Sequence, residues 1–472
     1  MANFLKNISK YILGYIMLRA ISFLLLPIYT NVFSKEEFGV YTLIFIFIAF
    51  AQFLYSYGMD ASLMKFFSIS KNKNEMYSSI FISLLISSSI FSLIIVFFSE
   101  YISILFLENI NYSHLFKIAA LILFLDSFSF RVLIIHRMED KPYKYFFFSF
   151  VNVCLTFFAN YYFIIIKSSG ISGAFYAHLI GSISIFLLSL PIIFKRVSIK
   201  NFSPILLKKI LLFGFPFLPS VIFQMIIDFS DRRILLYLTD IDTVGMYSPG
   251  CKIASIMIFL ISGFRLGWEP LFLKLTSDKK IIISHISNIF LFFIFTVLIF
   301  FILFIESIII YSNHYFSFSI IGENFWGSIG IIPILMFGYI FLALYHLQMP
   351  PIFYYNKTSK LPFFRFLGAV SNIFFNFLLI PFWGIYGAAF ATSLSYLIMT
   401  LPMFFYTNSL FKIDYNWNML IIYSLLSILS YYLTLNHSLN LFWSLILFCA
   451  SLSLLYIELR KVRSFIKKTT LF

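Results

Sequence analysis

From Tyr11 onward the chain alternates runs of about twenty apolar residues with short polar breaks, and the apolar positions do not follow the every-second-residue rhythm of a strand. A bilayer's hydrocarbon core of about 30 Å takes about 20 helical residues to cross, against about 9–11 for a tilted barrel strand. The runs therefore predict membrane helices over residues 11–31, 40–58, 77–99, 114–136, 145–166, 171–194, 205–227, 244–263, 281–305, 327–349, 363–382, 385–406, 418–435 and 439–457. The expected fold is an all-α polytopic membrane protein with about 14 spans.

Composition closes off the soluble alternative. Of 472 residues 61% are hydrophobic, 21% aromatic and only 11% charged, more apolar surface than one water-soluble core can hide. The net charge of +15 would suggest nucleic acid in a soluble protein; here its placement matters more. Roughly 26 of the basic residues fall in alternate breaks and at both ends, and only about four, Lys35, Lys167, Arg232 and Arg233, in the opposite ones. By the positive-inside rule both termini are cytoplasmic, which requires an even number of spans. The three cysteines, Cys154, Cys251 and Cys449, lie in apolar runs without metal-ligand spacing, and no phosphate-binding G-x-x-x-x-G-K-[ST] stretch occurs. No metal, no cofactor and no nucleic-acid partner is expected, and the energy for any transport comes from an ion gradient, the membrane potential or removal of product.

Two short phrases recur. Gly170-Ile-Ser-Gly-Ala174 opens the sixth span and Gly384-Ile-Tyr-Gly-Ala388 the twelfth; Phe38-Gly39-Val40-Tyr41 opens the second and Val244-Gly245-Met246-Tyr247 the eighth. Close helix packing at glycine explains either phrase alone. Two phrases in step with span number point to duplication: an N-terminal six-helix lobe over residues 1–200, a parallel six-helix lobe over 201–408, and two additional spans with a basic tail over 409–472.

The stretches ILGYIMLRAISFLLLPIYTNVFSKEEFGVYTLIF, FGFPFLPSVIFQMIIDFSDRRILLYLTDIDTVGMYSPGCKIAS and SNIFFNFLLIPFWGIYGAAFATSLSYL, in that order, resemble the Wzx-type polysaccharide (O-antigen) flippases of the multidrug/oligosaccharidyl-lipid/polysaccharide exporter superfamily. The resemblance implies two lobes around a central cavity in a bacterial inner membrane. It implies a transporter rather than an enzyme, moving undecaprenyl-pyrophosphate-linked oligosaccharide of O-antigen, lipopolysaccharide or capsule type to the outer leaflet. A polysaccharide polymerase and chain-length proteins are the partners it implies.

Charges inside the spans are costly and so are the first functional candidates. Arg19 and Lys252 lie mid-span and, with Arg131, suit a pyrophosphate carried through hydrocarbon. Asp126 is the candidate for coupling to H+ or Na+; it lies five residues before Arg131, about 140° around the helix, a poor angle for pairing. Asp60, with Lys65 near, and the cluster Asp228, Asp231, Arg232 and Arg233 at the end of the seventh span are candidate gate or lobe contacts, or simply solvated helix ends. His178 and His346 are isolated histidines, and Lys65, Arg265 and Lys274 are placed to meet anionic headgroups of membrane lipids. Pro216 and Pro219 beside Gly214 suggest a hinge.

Other readings remain at this stage. A lipid II flippase also carries a pyrophosphate. A multidrug exporter of the same superfamily would favour acidic rather than basic deep charges. An oligosaccharide polymerase would need catalytic groups on an accessible surface, and Glu36 and Glu37 sit in a break too short to build a donor site.

Overall fold

A computed structural model of the chain describes residues 21, 23–70, 72–215, 218–274, 280–316, 319–435 and 441–469. The described residues form helices joined by short turns and 3-10 segments: α1 Leu26–Val32, α2 Lys35–Ser56, α3 Met59–Ile69, α4 Lys73–Phe97, α5 Ser99–Leu107, α6 Ser113–Met138, α7 Pro142–Asn160, α8 Gly170–Arg196, α9 Pro204–Gly214, α10 Leu218–Leu238, α11 Ile241–Ala254, α12 Ile256–Lys274, α13 Lys280–Phe316, α14 Ile332–Leu347, α15 Met349–Tyr354, α16 Leu361–Leu410, α17 Trp417–Leu435 and α18 Leu441–Thr469. Among the described residues eleven helical stretches are long and apolar enough to cross a membrane, or twelve if α9 and α10 form one bent span. The protein is a multi-pass, all-helical membrane protein. The expected fourteen is approximate: the first expected span falls mostly on residues that are not described, two expected spans run together in α16, and one is divided between α9 and α10.

The chain forms two compact units, Met1–Met225 and Ile226–Phe472. In the first, α6 is the central helix, packed against α2, α4 and α8. In the second, α14 plays that part, packed against α11, α12, α13 and α16, while α17 and α18 pack on α13.

The recurring phrases have the same local cause in both units. Ser34 caps α2 reciprocally with Glu37: Glu37 N–H donates to Ser34 Oγ (3.1 Å) and Ser34 N–H to the Glu37 carboxylate (2.9 Å). Asp240 caps α11 by accepting from Thr243 N–H at 2.7 Å. Gly39 and Gly245 stand at the same distance from their caps, and the tyrosines two residues on, Tyr41 and Tyr247, are buried. Glu37 is thus engaged in helix capping, and Glu36 accepts from Tyr112.

The other phrase puts its first glycine in the left-handed region, φ +55° at Gly170 and +53° at Gly384, a conformation that L side chains adopt only at a cost. At Gly170 this turns the chain into α8; at Gly384 it breaks α16 into the two spans expected there. The second glycine then lies against the preceding helix: a Cβ at Gly173 would stand 3.1 Å from Phe163 Cβ, and one at Gly387 only 2.4 Å from the Leu379 carbonyl oxygen. Each glycine pair is a hairpin that lets two helices touch at backbone distance.

The contact distances rank the expected effects of added methyl groups. Gly387→Ala, with no room, destabilises by about 2–3 kcal/mol, Gly173→Ala by about 1 kcal/mol, and the open Gly263→Ala is neutral or stabilising by up to about 1 kcal/mol. Thermal unfolding of the three detergent-purified variants reads the order; equal midpoints would remove the close approach as a constraint.

Candidate functional site

Each unit buries charged and polar side chains among its helices. In the first unit the cluster begins with a break after α2. Tyr57 and Gly58 both take positive φ, +30° and +80°, which ends α2 and starts α3 in a new direction, with Asp60 in the first turn of α3. There Asp60 meets Arg131 of α6 at 3.0 Å. Arg131 is 0% exposed and also donates from Nη1 to the Ser127 carbonyl at 3.0 Å, while its Nη2 has no protein partner. Asp60 keeps 43% of its side chain exposed, so the pair joins a buried guanidinium to a carboxylate that reaches the surface. Asp126 is buried one turn and a half earlier on α6 and lies within hydrogen-bonding reach of Ser182 on α8.

The ammonium of Lys65, the lysine nearest Asp60 in the sequence, sits 3.7 Å over the Phe213 ring.

In the second unit the cluster Asp228, Asp231 and Arg232 is not at a helix end. α10 runs on to Leu238, and Asp231 is only 1% exposed. The sequence suggested a boundary at residue 227 because four charges interrupt the apolar run; these charges are largely met inside the bundle, so the helix continues through them. Arg232 donates from Nη1 to Asp231 Oδ1 (2.8 Å) and to the Asp228 carbonyl (2.6 Å), and its guanidinium lies 5.3 Å over the Tyr247 ring. Tyr247 donates to Asp231 Oδ2 at 2.7 Å, Thr392 stands at 3.5 Å from the same oxygen, and Tyr396 donates to Asp228. Asp231 thus meets the guanidinium through its carboxylate and Asp228 through its backbone carbonyl, while tyrosine hydroxyls donate to both carboxylates. Lys252 lies on α11, half-buried, on the helix that supplies Tyr247.

Polar residues not singled out in the sequence complete both clusters. On α7, Asn160 is buried, donates to the Thr156 carbonyl (2.8 Å) and accepts from Tyr29 OH of α1 (2.8 Å). On α16, Asn376 is buried and donates to the Asn372 carbonyl (2.8 Å), and Asn372 in turn accepts from Ser230 Oγ of α10 at 2.7 Å. In each unit two polar residues four apart tie the helix before the Gly-Ile-x-Gly-Ala hairpin to another helix: Thr156 and Asn160 to α1, and Asn372 and Asn376 to α10. The signal was present, Asn and Thr four apart in otherwise apolar runs, but is faint beside full charges.

Arg19 and Pro216 lie outside the described residues, as does the side chain of Lys274. His346 is buried at the end of α14 beside Tyr345, Arg265 pairs with Glu269 one turn on at 3.4 Å, and His178 packs edge-on against Phe45 at 5.2 Å. Among the described residues no group of three or more His, Cys, Asp or Glu side chains is placed to hold a metal ion.

The two ion pairs differ in what removal of a partner exposes. Asp60→Asn leaves Arg131 buried without a counter-charge and costs about 2–3 kcal/mol, which the double change Asp60→Leu with Arg131→Met largely restores. Tyr247→Phe removes one donor from a buried carboxylate and costs about 1–2 kcal/mol. Thermal unfolding checks both; a double variant no more stable than Asp60→Asn would show that the pair is not the source of the loss.

Comparison with known proteins places this geometry. The profile of the family described as polysaccharide biosynthesis protein matches residues 4–276. An uncharacterised membrane protein of Methanocaldococcus jannaschii is 21% identical over 459 residues, covering 90% of this chain and 88% of its own. Among solved structures, the lipid II flippase MurJ in an inward closed conformation is similar with a TM-score of 0.66 and 17% identity, over 98% of this chain and 99% of that one. An inward-facing multidrug resistance transporter of the MATE family gives a TM-score of 0.65 and 15% identity, over 83% and 94%. These likenesses establish the fold of the multidrug/oligosaccharidyl-lipid/polysaccharide exporter superfamily, and the profile match over more than half of its length shows that the chain belongs to the polysaccharide biosynthesis protein family.

Proposed function

We propose that this protein moves an undecaprenyl-pyrophosphate-linked oligosaccharide, of the O-antigen or capsule type, from the cytoplasmic to the outer leaflet of a bacterial inner membrane. The observation that carries the reading is family membership in polysaccharide biosynthesis by a chain that is membrane-spanning along its length and shares its fold with a lipid-linked-substrate flippase. A pyrophosphate must lose water to cross hydrocarbon, and fixed cations offset that loss. Arg19 and Lys252 are the proposed contacts to the pyrophosphate, with Arg131 a third cation held in reserve by Asp60. Both termini face the cytoplasm in this reading, and transport proceeds by alternating access.

Coupling to H+ or Na+ is assigned to Asp126, which is buried and within reach of Ser182. The cluster around Arg232, which donates to the Asp231 carboxylate and to the Asp228 backbone carbonyl, supports a second location for the same task. Flux driven by imposed ion gradients separates them: loss of gradient dependence in Asp126→Asn but not Asp231→Asn favours the first, and the reverse pattern moves coupling to the second unit.

Deleting the gene in its host is expected to make lipid-linked repeat units accumulate on the inner leaflet. Arg19→Ala or Lys252→Ala, complemented at matched protein level, lowers the rate of appearance of surface glycan about 10–100-fold, the worth of one charge-assisted hydrogen bond. Normal surface glycan in the deletion, with no second flippase present and no accumulation, would remove the substrate assignment and make drug export the next assay.

A further inference from the structure

The segment that joins the two halves of the sequence carries a surface that neither charged cluster uses. After α8 the chain is fastened along α4 by two buried serines: Ser198 N–H donates to Ser78 Oγ (3.0 Å) and Ser203 N–H to Ser79 Oγ (3.1 Å). Ser203 then caps α9, accepting from Leu206 N–H, with Pro204 in the first turn. α9 has two faces. Leu206, Leu207, Ile210 and Leu211 pack into the core of the first unit with Met59, Leu63 and Met76. Ile205, Lys208, Lys209 and Leu212, spaced 3, 4 and 7 along the helix, form the opposite face, and Ile205 and Leu212 are 73% and 67% exposed.

An exposed face of large aliphatic groups set beside lysines suits the boundary between acyl chains and headgroups rather than water or hydrocarbon alone. Its surroundings have the same character. Lys195 and Lys200 are exposed, as is Ile199, and Lys65 of α3 lies over Phe213 of α9. Of the acids at this end of the unit, Asp60 is engaged by Arg131, and Glu139 by Arg196 and Lys141. With Lys195, Lys200, Lys208 and Lys209 exposed, the surface is basic.

We propose that the outer face of α9, with Lys195 and Lys200, is a docking surface for the anionic phospholipids of the inner leaflet. Charge complementarity selects anionic over zwitterionic headgroups, and the aliphatic side chains seat the helix at the depth of the headgroups. The proposal rests on the orientation given above, in which this end of the unit faces the cytoplasm.

Docking there bears on the buried ion pair. α9 and α3 are in backbone contact: a Cβ on Gly58 would stand 2.4 Å from the Gly214 carbonyl oxygen, and Ser62 Oγ donates to the Ile210 carbonyl at 2.8 Å. Gly58 begins the turn that brings Asp60 to Arg131. A lipid leaflet that holds α9 therefore also holds the helix that supplies the counter-charge of Arg131.

The test does not need transport. With Cys154, Cys251 and Cys449 replaced, Leu212→Cys is labelled with an environment-sensitive fluorophore and the whole protein is placed in nanodiscs. Phosphatidylcholine is mixed there with phosphatidylglycerol, and one or the other lipid is brominated. Quenching by brominated phosphatidylglycerol is expected to exceed that by brominated phosphatidylcholine about twofold or more. The excess shrinks in 1 M salt, where the Debye length is about 3 Å, and is lost in Lys200→Gln/Lys208→Gln/Lys209→Gln. Should the Leu212 variant fail to fold, Ile205→Cys reports from the same face. Equal quenching by the two lipids, or an excess that survives the lysine changes, overturns the proposal. Relief of the quenching difference by inorganic pyrophosphate at constant ionic strength would also overturn it, assigning the surface to the substrate headgroup. Failure of the flippase reading alone would leave the quenching result unchanged, because both leaflets of the nanodisc carry the same lipids and the readout needs no transport.

Discussion

A charge buried among apolar helices must be met within its own bundle, and much of this structure follows from that requirement. Arg131 is wholly buried, so α2 cannot continue straight: a two-residue left-handed break redirects the chain and delivers Asp60 to the guanidinium. Arg232 is met in a different way, by Asp231 beside it on the same helix, with the Asp228 carbonyl one turn back. The first solution bends the backbone and the second leaves it straight. The first unit consequently holds its cation with a carboxylate that is still partly accessible, whereas the second holds its own almost sealed.

That difference has a mechanistic consequence. An ion pair with one exposed partner can exchange that partner for another anion more easily than one whose partners are both buried. Exchange of Asp60 for another anion is therefore energetically closer to neutral than exchange of Asp231, whose second oxygen is held by Tyr247. Among the cations of the proposed site, Arg131 is thus suited to an interaction that forms and breaks within a cycle.

The sequence made the helical class, the approximate spans and the two repeated helix openings readable, because each depends on local properties: run length, an N-cap five residues before a glycine, a glycine that must take positive φ. Gly170 and Gly384 show how far such a signal reaches, since both also mark a hairpin in which the second glycine touches the preceding helix. What failed to show was anything decided by a distant partner. The end expected at residue 227 moved to Leu238 because Tyr247, Thr392 and Tyr396, far along the chain, help accommodate the charges of α10. Asn160 and Asn376 were overlooked for the same reason: an asparagine in an apolar run acquires meaning only when its partner, Tyr29 or the Asn372–Ser230 pair, is known.

The linker helix joins these themes. A connector with no task beyond linking would be free to be polar, yet α9 spends four aliphatic side chains on the core of the first unit and two more on its outer face. Its inner face fixes it to α3 by contacts that admit no side chain at Gly58, so a displacement of α9 must either carry α3 with it or break that contact. Since α3 bears Asp60, the position of the linker and the occupancy of Arg131 are coupled through rigid backbone rather than through flexible side chains. On the proposal that lipid holds the linker, a surface force there therefore reaches Arg131, a buried cation whose counter-charge is partly exposed.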